Sequence, residues 1–218
     1  MNFVIFGITG GIFNPMNINS NNYKQHTLFI CVLIGISTLL GYLLSIFLGE
    51  QFSKLPTIIQ IAISIPSVPT IYAFLFFLFD RYLWKWSFFR FINIVISDDL
   101  NGTWNGIMKS SWDEFSADIT TKLVIKQTAT TIKIWGTFNQ SHSVSIHEYF
   151  GRNEMHNQSA LYYFYKNDPN YDAPRTMAMH EGSAILTYNK ETNILSGYYY
   201  SGRDRHNHGT ISVKRVEN

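Results

Sequence analysis

Thr130–Gln140 reads TTIKIWGTFNQ. In an extended chain Ile132, Ile134, Gly136 and Phe138 fall on one side, and Lys133, Trp135 and Thr137 on the other. An apolar side alternating with a polar side at a period of two is the mark of a half-buried β-strand. The same period recurs on both sides of this stretch. Upstream lie Gly102–Ser110 and Ala117–Gln127, in which Ile119, Thr121, Leu123 and Ile125 share a face. Downstream lie His142–Phe150, Ala160–Lys166, Ser183–Tyr188, Ile194–Gly202 and Gly209–Val216. Turn-forming residues separate them at Asn139-Gln140-Ser141, Asn167-Asp168-Pro169-Asn170, Asn189–Asn193 and Arg203–Asn207. Eight short strands with no helical period among them predict a small up-and-down antiparallel β-barrel, because closure removes exposed edges. A two-sheet sandwich is the alternative architecture. An eight-stranded barrel has room for one small ligand.

The first half of the chain reads differently. Leu28–Leu48 and Ile58–Phe79 carry no charged residue. Each is about the length an α-helix needs to cross a bilayer. Two N-terminal transmembrane helices, about 28–48 and 58–79, are therefore expected ahead of the all-β part. Pro56 suits the opening of the second helix, whereas Pro66 and Pro69 should kink or break it. Arg81–Ile96 interleaves Tyr82, Trp84, Trp86, Phe88, Phe89 and Phe91 with Lys85 and Arg90. It reads either as the end of the second helix or as a bent interfacial segment, since such rings and cations settle at headgroup level. Residues 1–26 lack the basic start and cleavage pattern of a signal peptide. They read as an irregular or interfacial segment, a polar linker (Asn14–Asn22) and a collar of Tyr23, Lys24 and His26. The resulting domains are 1–26, 27–97 and 98–218.

Charge sets the orientation and narrows the function. Lys24, Arg81, Lys85 and Arg90 flank the termini side of the two spans, and only Lys54 lies in the turn between them. That asymmetry places both termini, and the β-domain, in the cytoplasm. Residues 98–218 hold 12 basic and 13 acidic residues, so DNA or RNA is not an expected partner. The one cysteine, Cys31, excludes an intramolecular disulfide and a multi-cysteine zinc site. Six histidines fall in the β-domain, but His206 and His208 have no third ligand at a recognisable spacing, so no metal is expected. No nucleophile elbow, metalloprotease helix, P-loop or dinucleotide-binding glycine pattern is present, and Asp113-Glu114 and His147-Glu148 are paired only by adjacency. The chain does not read as an enzyme and calls for no cofactor.

Two motifs bear on a ligand. Gly102-Thr103-Trp104 resembles the G-x-W that opens lipocalin-type barrels, where the ring plugs one end against an arginine; Arg215 or Arg203 could be that partner. Gly197–Arg203 (GYYYSGR) places Tyr198 and Tyr200 on one side of a strand and Tyr199 on the other. Leu161–Tyr165 (LYYFY) repeats the aromatic theme, and parity alone does not decide between Tyr162 and Tyr163. An inward tyrosine offers a stacking face, and an arginine at the rim offers a fork for phosphate.

Two spans, an aromatic-basic junction and a small β-barrel carrying G-T-W and G-Y-x-x-S-G-R resemble the two-transmembrane, β-strand-rich effectors of bacterial cyclic-oligonucleotide antiphage signalling (CBASS). The resemblance covers about residues 25–218. It implies a lipocalin-like barrel that binds a cyclic dinucleotide made by a partner nucleotidyltransferase. It also implies homo-oligomerisation on binding, and disruption of the bacterial inner membrane by the spans, with death of the infected cell. On this reading Trp104, Tyr163 and Tyr199 are stacking or wall residues, Thr121 adds a hydroxyl, and Arg203 and the loop residue Arg152 contact phosphate. Two other readings compete: a membrane-anchored carrier of an apolar ligand, whose interior should be uniformly apolar with neither Thr121 nor Arg203 facing in, and a membrane-anchored enzyme with an unrecognised site.

Overall fold

The computed structural model describes residues 23–47, 49, 53–92, 98–153, 158–173, 178–202 and 206–216. They form two compact units, one built on residues 101–126 and 130–216, the other on 23–100 with 127–129.

The first unit is a closed barrel in which every strand pairs with its sequence neighbours and β1 closes on β8. The strands are β1 (Gly102–Ser110), β2 (Ile119–Gln127), β3 (Ile132–Thr137), β4 (Ser141–Asn153), β5 (Gln158–Pro169), β6 (His180–Asn189), β7 (Ile194–Ser201) and β8 (His208–Arg215). The closed barrel settles the choice against a sandwich. Its core is one set of inward side chains at a period of two: Leu123 and Ile125 on β2, Leu161 and Tyr163 on β5, Leu186 and Tyr188 on β6, Leu195 and Tyr199 on β7, and Ile211 and Val213 on β8, all buried. Each such burial is worth roughly 1.5–3 kcal/mol, which suffices to hold a small barrel against chain entropy only when every strand contributes.

The turns follow local chemistry. Between β6 and β7 the Asn189 Oδ1 accepts from the backbone N–H groups of Glu191 (3.0 Å) and Thr192 (3.1 Å). Asn193 takes a left-handed φ of 53° there, and its side chain accepts from the Tyr188 hydroxyl at 2.9 Å. Between β3 and β4 Phe138 N–H bonds Ser141 C=O.

The β4–β5 hairpin corrects two expectations. Asn167-Asp168-Pro169 is not a turn: β5 runs through it, with Asn167 opposite Ser143 and Pro169 opposite Ser141. Cross-strand pairing outweighs the turn preference because the Asn167 amide, which in a turn would bond local backbone, finds the Ser141 hydroxyl instead. At the other end pairing extends to Asn153 opposite Gln158, so the Arg152 backbone belongs to β4 rather than to a loop. A register shift between Ser145 and His147 inserts one residue into β4. Ser141 and Ser145 are buried before it, Glu148 and Phe150 after it, so the bulge reverses the parity of the strand.

The second unit is helical. The first apolar stretch forms α1 (Tyr23–Phe47), whose first turn carries Tyr23, Lys24 and His26 ahead of the apolar span that starts at Thr27. The second forms α2 (Thr57–Arg81), one continuous helix through Pro66 and Pro69, so neither proline breaks it. Phe29, Leu33 and Ser37 form the buried face of α1, with Phe29 4.5 Å from Phe79 of α2, centroid to centroid. Ser37 and Thr38 return their hydroxyls to the carbonyls of Leu33 and Ile34, as polar side chains in an apolar setting must. The other faces of α1 expose Leu28, Leu39, Leu43, Ile46 and Phe47. Among the described residues one helix, Thr27–Phe47, is long and apolar enough to cross a membrane. After α2 the chain bends through a 3-10 turn (Leu83–Lys85) into the short α3 (Ser87–Phe91), so the junction is not a straight continuation of α2.

Candidate ligand-binding site

The two ends of the barrel differ in chemistry. At one end Trp104 of β1 is fully buried, opposite Leu123 on β2 and Arg215 on β8. The Arg215 guanidinium lies 4.7 Å over the indole, and Tyr188 meets its edge with centroids 5.8 Å apart. Of the two arginines considered for this role, Arg215 fills it. Trp104 therefore spends its face on a protein cation and plugs the barrel; it lines no part of the cavity described next.

The opposite end opens into a cavity of about 110 Å³. Its walls come from the far ends of the same strands: Met108 and Ser110 of β1, Ile119 of β2, Ser141 and Ser143 of β4, Tyr163, Tyr165 and Asn167 of β5, His180 of β6, Tyr199 and Ser201 of β7, and Ile211 of β8, with Trp112, Phe138 and Asn207 at the rim. Tyr163 and Tyr199 fall here, and both are buried. Strand parity is settled in favour of Tyr163, with Tyr162 and Phe164 on the outer side. Thr121 is buried inside the barrel, but it does not reach the cavity, and its hydroxyl donates to Ile119 C=O at 3.0 Å. Arg203 and the Arg152 side chain lie outside the described residues.

Two glycines make space for the aromatic walls. Gly209 stands opposite Tyr199 and Gly182 opposite Tyr165. A Cβ on Gly209 would come within 2.5 Å of Tyr199 Cε1, and one on Gly182 within 2.5 Å of Tyr165 Cζ. Tyr165 donates its hydroxyl to Tyr200 C=O at 3.3 Å. The Tyr163 phenol is pushed well above its ordinary value of 10.0, by burial first and by neighbouring Tyr165 second, so it stays neutral at any physiological pH. A neutral aromatic wall presents a stacking face and no anion to repel a phosphate.

The polar part of the cavity was hidden from sequence reasoning. Asn167 is buried; its Nδ2 donates to Ser141 Oγ at 3.1 Å, and its Oδ1 has no partner. Asn167 was obscured by its turn-like setting, and Ser141 by its place in a presumed loop. Tyr165 could have been found from the parity that exposes Tyr163.

Where the β4 bulge pulls the strand from β3, side chains replace the ladder. Ser145 Oγ accepts from Ile134 N–H at 2.9 Å, and Lys133 Nζ bonds Ser145 C=O and pairs with buried Glu148 at 3.2 Å. Among the described residues no three His, Cys, Asp or Glu side chains gather to hold a metal ion.

A closed barrel plugged at one end and lined with tyrosines and small polar groups at the other belongs to the class of small barrels with room for one small ligand. Residues 96–215 match the family described as "Cap15, cyclic dinucleotide receptor domain", and the chain belongs to that family. It is also similar to the CD-NTase-associated protein 15 of Staphylococcus schleiferi, 26% identical over 148 residues that cover 68% of this chain and 76% of that protein.

Proposed function

We propose that the chain is a cyclic-dinucleotide-activated effector of CBASS antiphage signalling. The observation that carries this reading is the coincidence of the receptor-family match with the barrel whose mouth is walled by Tyr163, Tyr165 and Tyr199. Aromatic faces of this kind hold nucleobases by stacking, at about 1–3 kcal/mol per base. The cavity is smaller than the roughly 300 Å³ at which pockets for whole drug-sized ligands begin. It therefore takes one base. The remainder of the ligand lies in the rim groove of about 560 Å³, which shares Tyr165, His180 and Ser201 with it. Arg203, two residues beyond Ser201 in the chain, is the proposed phosphate contact, with Arg152 a second. A mouth with Ser110, Ser141, Ser143 and Asn167 in its walls suits a polar ligand better than the apolar ligand of a lipid carrier.

Binding drives homo-oligomerisation in this reading. The outer wall supports it: Tyr149 of β4, Phe164 of β5, and Tyr198 and Tyr200 of β7 expose their rings, apolar surface of the kind that marks association. α1 and α2 are the proposed inner-membrane spans, with both termini and the barrel in the cytoplasm, where a partner nucleotidyltransferase makes the ligand. Their assembly disrupts the bilayer and kills the infected cell. This reading involves no catalysis.

Calorimetry on the full-length protein in detergent, with a panel of cyclic dinucleotides and fatty acids, tests the proposal. At least one cyclic dinucleotide is expected to bind with Kd below about 100 μM, or about −5.5 kcal/mol. Binding of fatty acids alone, or of none of these ligands, would overturn it.

A further inference from the structure

Asn167 has a chemistry that barrel packing does not explain. It follows Tyr163 and Tyr165 along β5 at the same parity, so the three side chains share one inner wall. Leucine would fill an inward position of this volume at no polar cost. The carboxamide is instead 6% exposed and held by one hydrogen bond, from Nδ2 to Ser141 Oγ. Its Oδ1 is left as a buried acceptor without a donor. Such an orphan forfeits the hydrogen bond it makes in water, and folded proteins retain few of them. Among the described residues, Asn167 Oδ1 is the cavity-lining side-chain atom left in this state. Ser141 Oγ, which accepts from Nδ2, keeps its own hydrogen to give. The wall thus holds an acceptor and a donor side by side, the acceptor itself buried.

We propose that Asn167 and Ser141 read the edge of one nucleobase in the cavity, and that they select adenine. This rests on the cyclic-dinucleotide reading above and specifies the base at that site. The selection follows from counting polar groups on each base edge. On its Watson–Crick edge adenine carries an amine and one ring nitrogen, and each finds one partner in the Asn167 oxygen and the Ser141 hydroxyl. Uracil pairs its N–H and one carbonyl with the same two groups, and its second carbonyl is left buried and unpaired. Guanine leaves its 2-amino group over, and cytosine its 2-carbonyl. A leftover polar group that meets none of the other polar walls (Ser110, Ser143, His180, Ser201) carries the penalty of an unmade buried hydrogen bond, and discrimination of this kind exceeds what shape alone achieves. The stacking walls Tyr163, Tyr165 and Tyr199 accept any base, so the choice lies with the edge. Rotating the Asn167 amide by half a turn would present its NH2 group and reverse the preference, so the sign of the discrimination is itself a test.

The experiment measures binding to the full-length protein in detergent of three probes. They are cyclic di-AMP, its analogue with both 6-amino groups removed, and cyclic di-UMP. Cyclic di-AMP is expected to bind at least tenfold tighter than either of the others. Asn167→Leu should bring the three within threefold of one another. Ser141→Ala, which removes only the amide's anchor and the second reading group, should reduce the preference by at least threefold and serves if Asn167→Leu does not fold. Tighter binding of cyclic di-UMP, equal binding of the desamino analogue, or a tenfold preference surviving in Asn167→Leu would each overturn the assignment and leave the receptor reading standing. Absence of binding by every cyclic dinucleotide would remove both.

Discussion

Gly209 and Tyr199 are cross-strand partners, and the absent Cβ of the first makes room for the ring of the second. A methyl group at Gly209 would meet Tyr199 Cε1 at 2.5 Å and also the backbone carbonyl of Lys109, which has no freedom to move aside. Gly209→Ala should therefore destabilise the barrel by about 1–3 kcal/mol, the usual cost of overpacking. It should also weaken ligand binding by displacing the Tyr199 face. Urea melts with parallel titrations check both. A variant with wild-type stability and affinity would show that the ring has other places to go.

The plugged end separates stability from binding. Arg215→Ala removes the cation over Trp104, an interaction worth roughly 0.5–2 kcal/mol. The melting temperature is expected to fall by several degrees. Affinity for a cyclic dinucleotide should stay within twofold, because neither Trp104 nor Arg215 lines the cavity. Loss of affinity tenfold beyond the stability change would place the ligand at the wrong end of the barrel.

Alkaline titration reports on the Tyr163 phenol. Below its ordinary value of 10.0 both the folded and unfolded chains keep this proton. Above it the unfolded chain releases a proton that the folded barrel retains, so stability falls as pH rises. The slope from this one group approaches about 1.4 kcal/mol per pH unit. Tyr163→Phe should flatten the dependence between pH 10 and 11.5 in chemical denaturation. An unchanged slope would assign it elsewhere, with Tyr162, raised by its own burial and then by Tyr198 and Tyr149, next in line.

Polarising α1 tests what the helices do. Leu39 and Leu43 lie four residues apart on an exposed side of α1. Lysine at both positions costs about 2.5–3.5 kcal/mol each in a bilayer. Leu39→Lys with Leu43→Lys should abolish killing when a cyclic-dinucleotide synthase is co-expressed, while binding by the purified protein is preserved. Undiminished killing would reduce the helices to an anchor.

The exposed rings of the barrel wall invite a parallel test. Tyr149→Glu with Tyr198→Glu introduces charge on the outer face and leaves the cavity lining intact. Ligand-dependent assembly, followed by light scattering, should be lost with affinity unchanged to within twofold. Assembly that persists would move the interface to another face.

Period-two patterning located all eight strands, since an inward apolar set at fixed spacing is a property of the chain itself. It also set Tyr199 on the side opposite Tyr198 and Tyr200, but left Tyr162 and Tyr163 undecided, and only the structure turned Tyr163 inward. Three things escaped it. The second helix runs continuously through Pro66 and Pro69, where the missing backbone donors predicted a kink or break. The β4 bulge changes parity by one residue, a choice set by the Lys133, Ser145 and Glu148 contacts that replace the β3 ladder. Asn167 carries a strong turn propensity, and distant partners draw it into a strand: Ser143 and His180 across the ladders and the Ser141 hydroxyl.

The sequence alone determined the strand number, the closed topology it favours, the apolar helices and the aromatic content of the site, because each is written in local spacing and composition. Only the tertiary structure decided which end of the barrel is plugged and which is open, and which polar groups meet in the cavity. Those outcomes depend on pairing between distant strands, in which Trp104 meets Arg215 at one end and Asn167 meets Ser141 at the other.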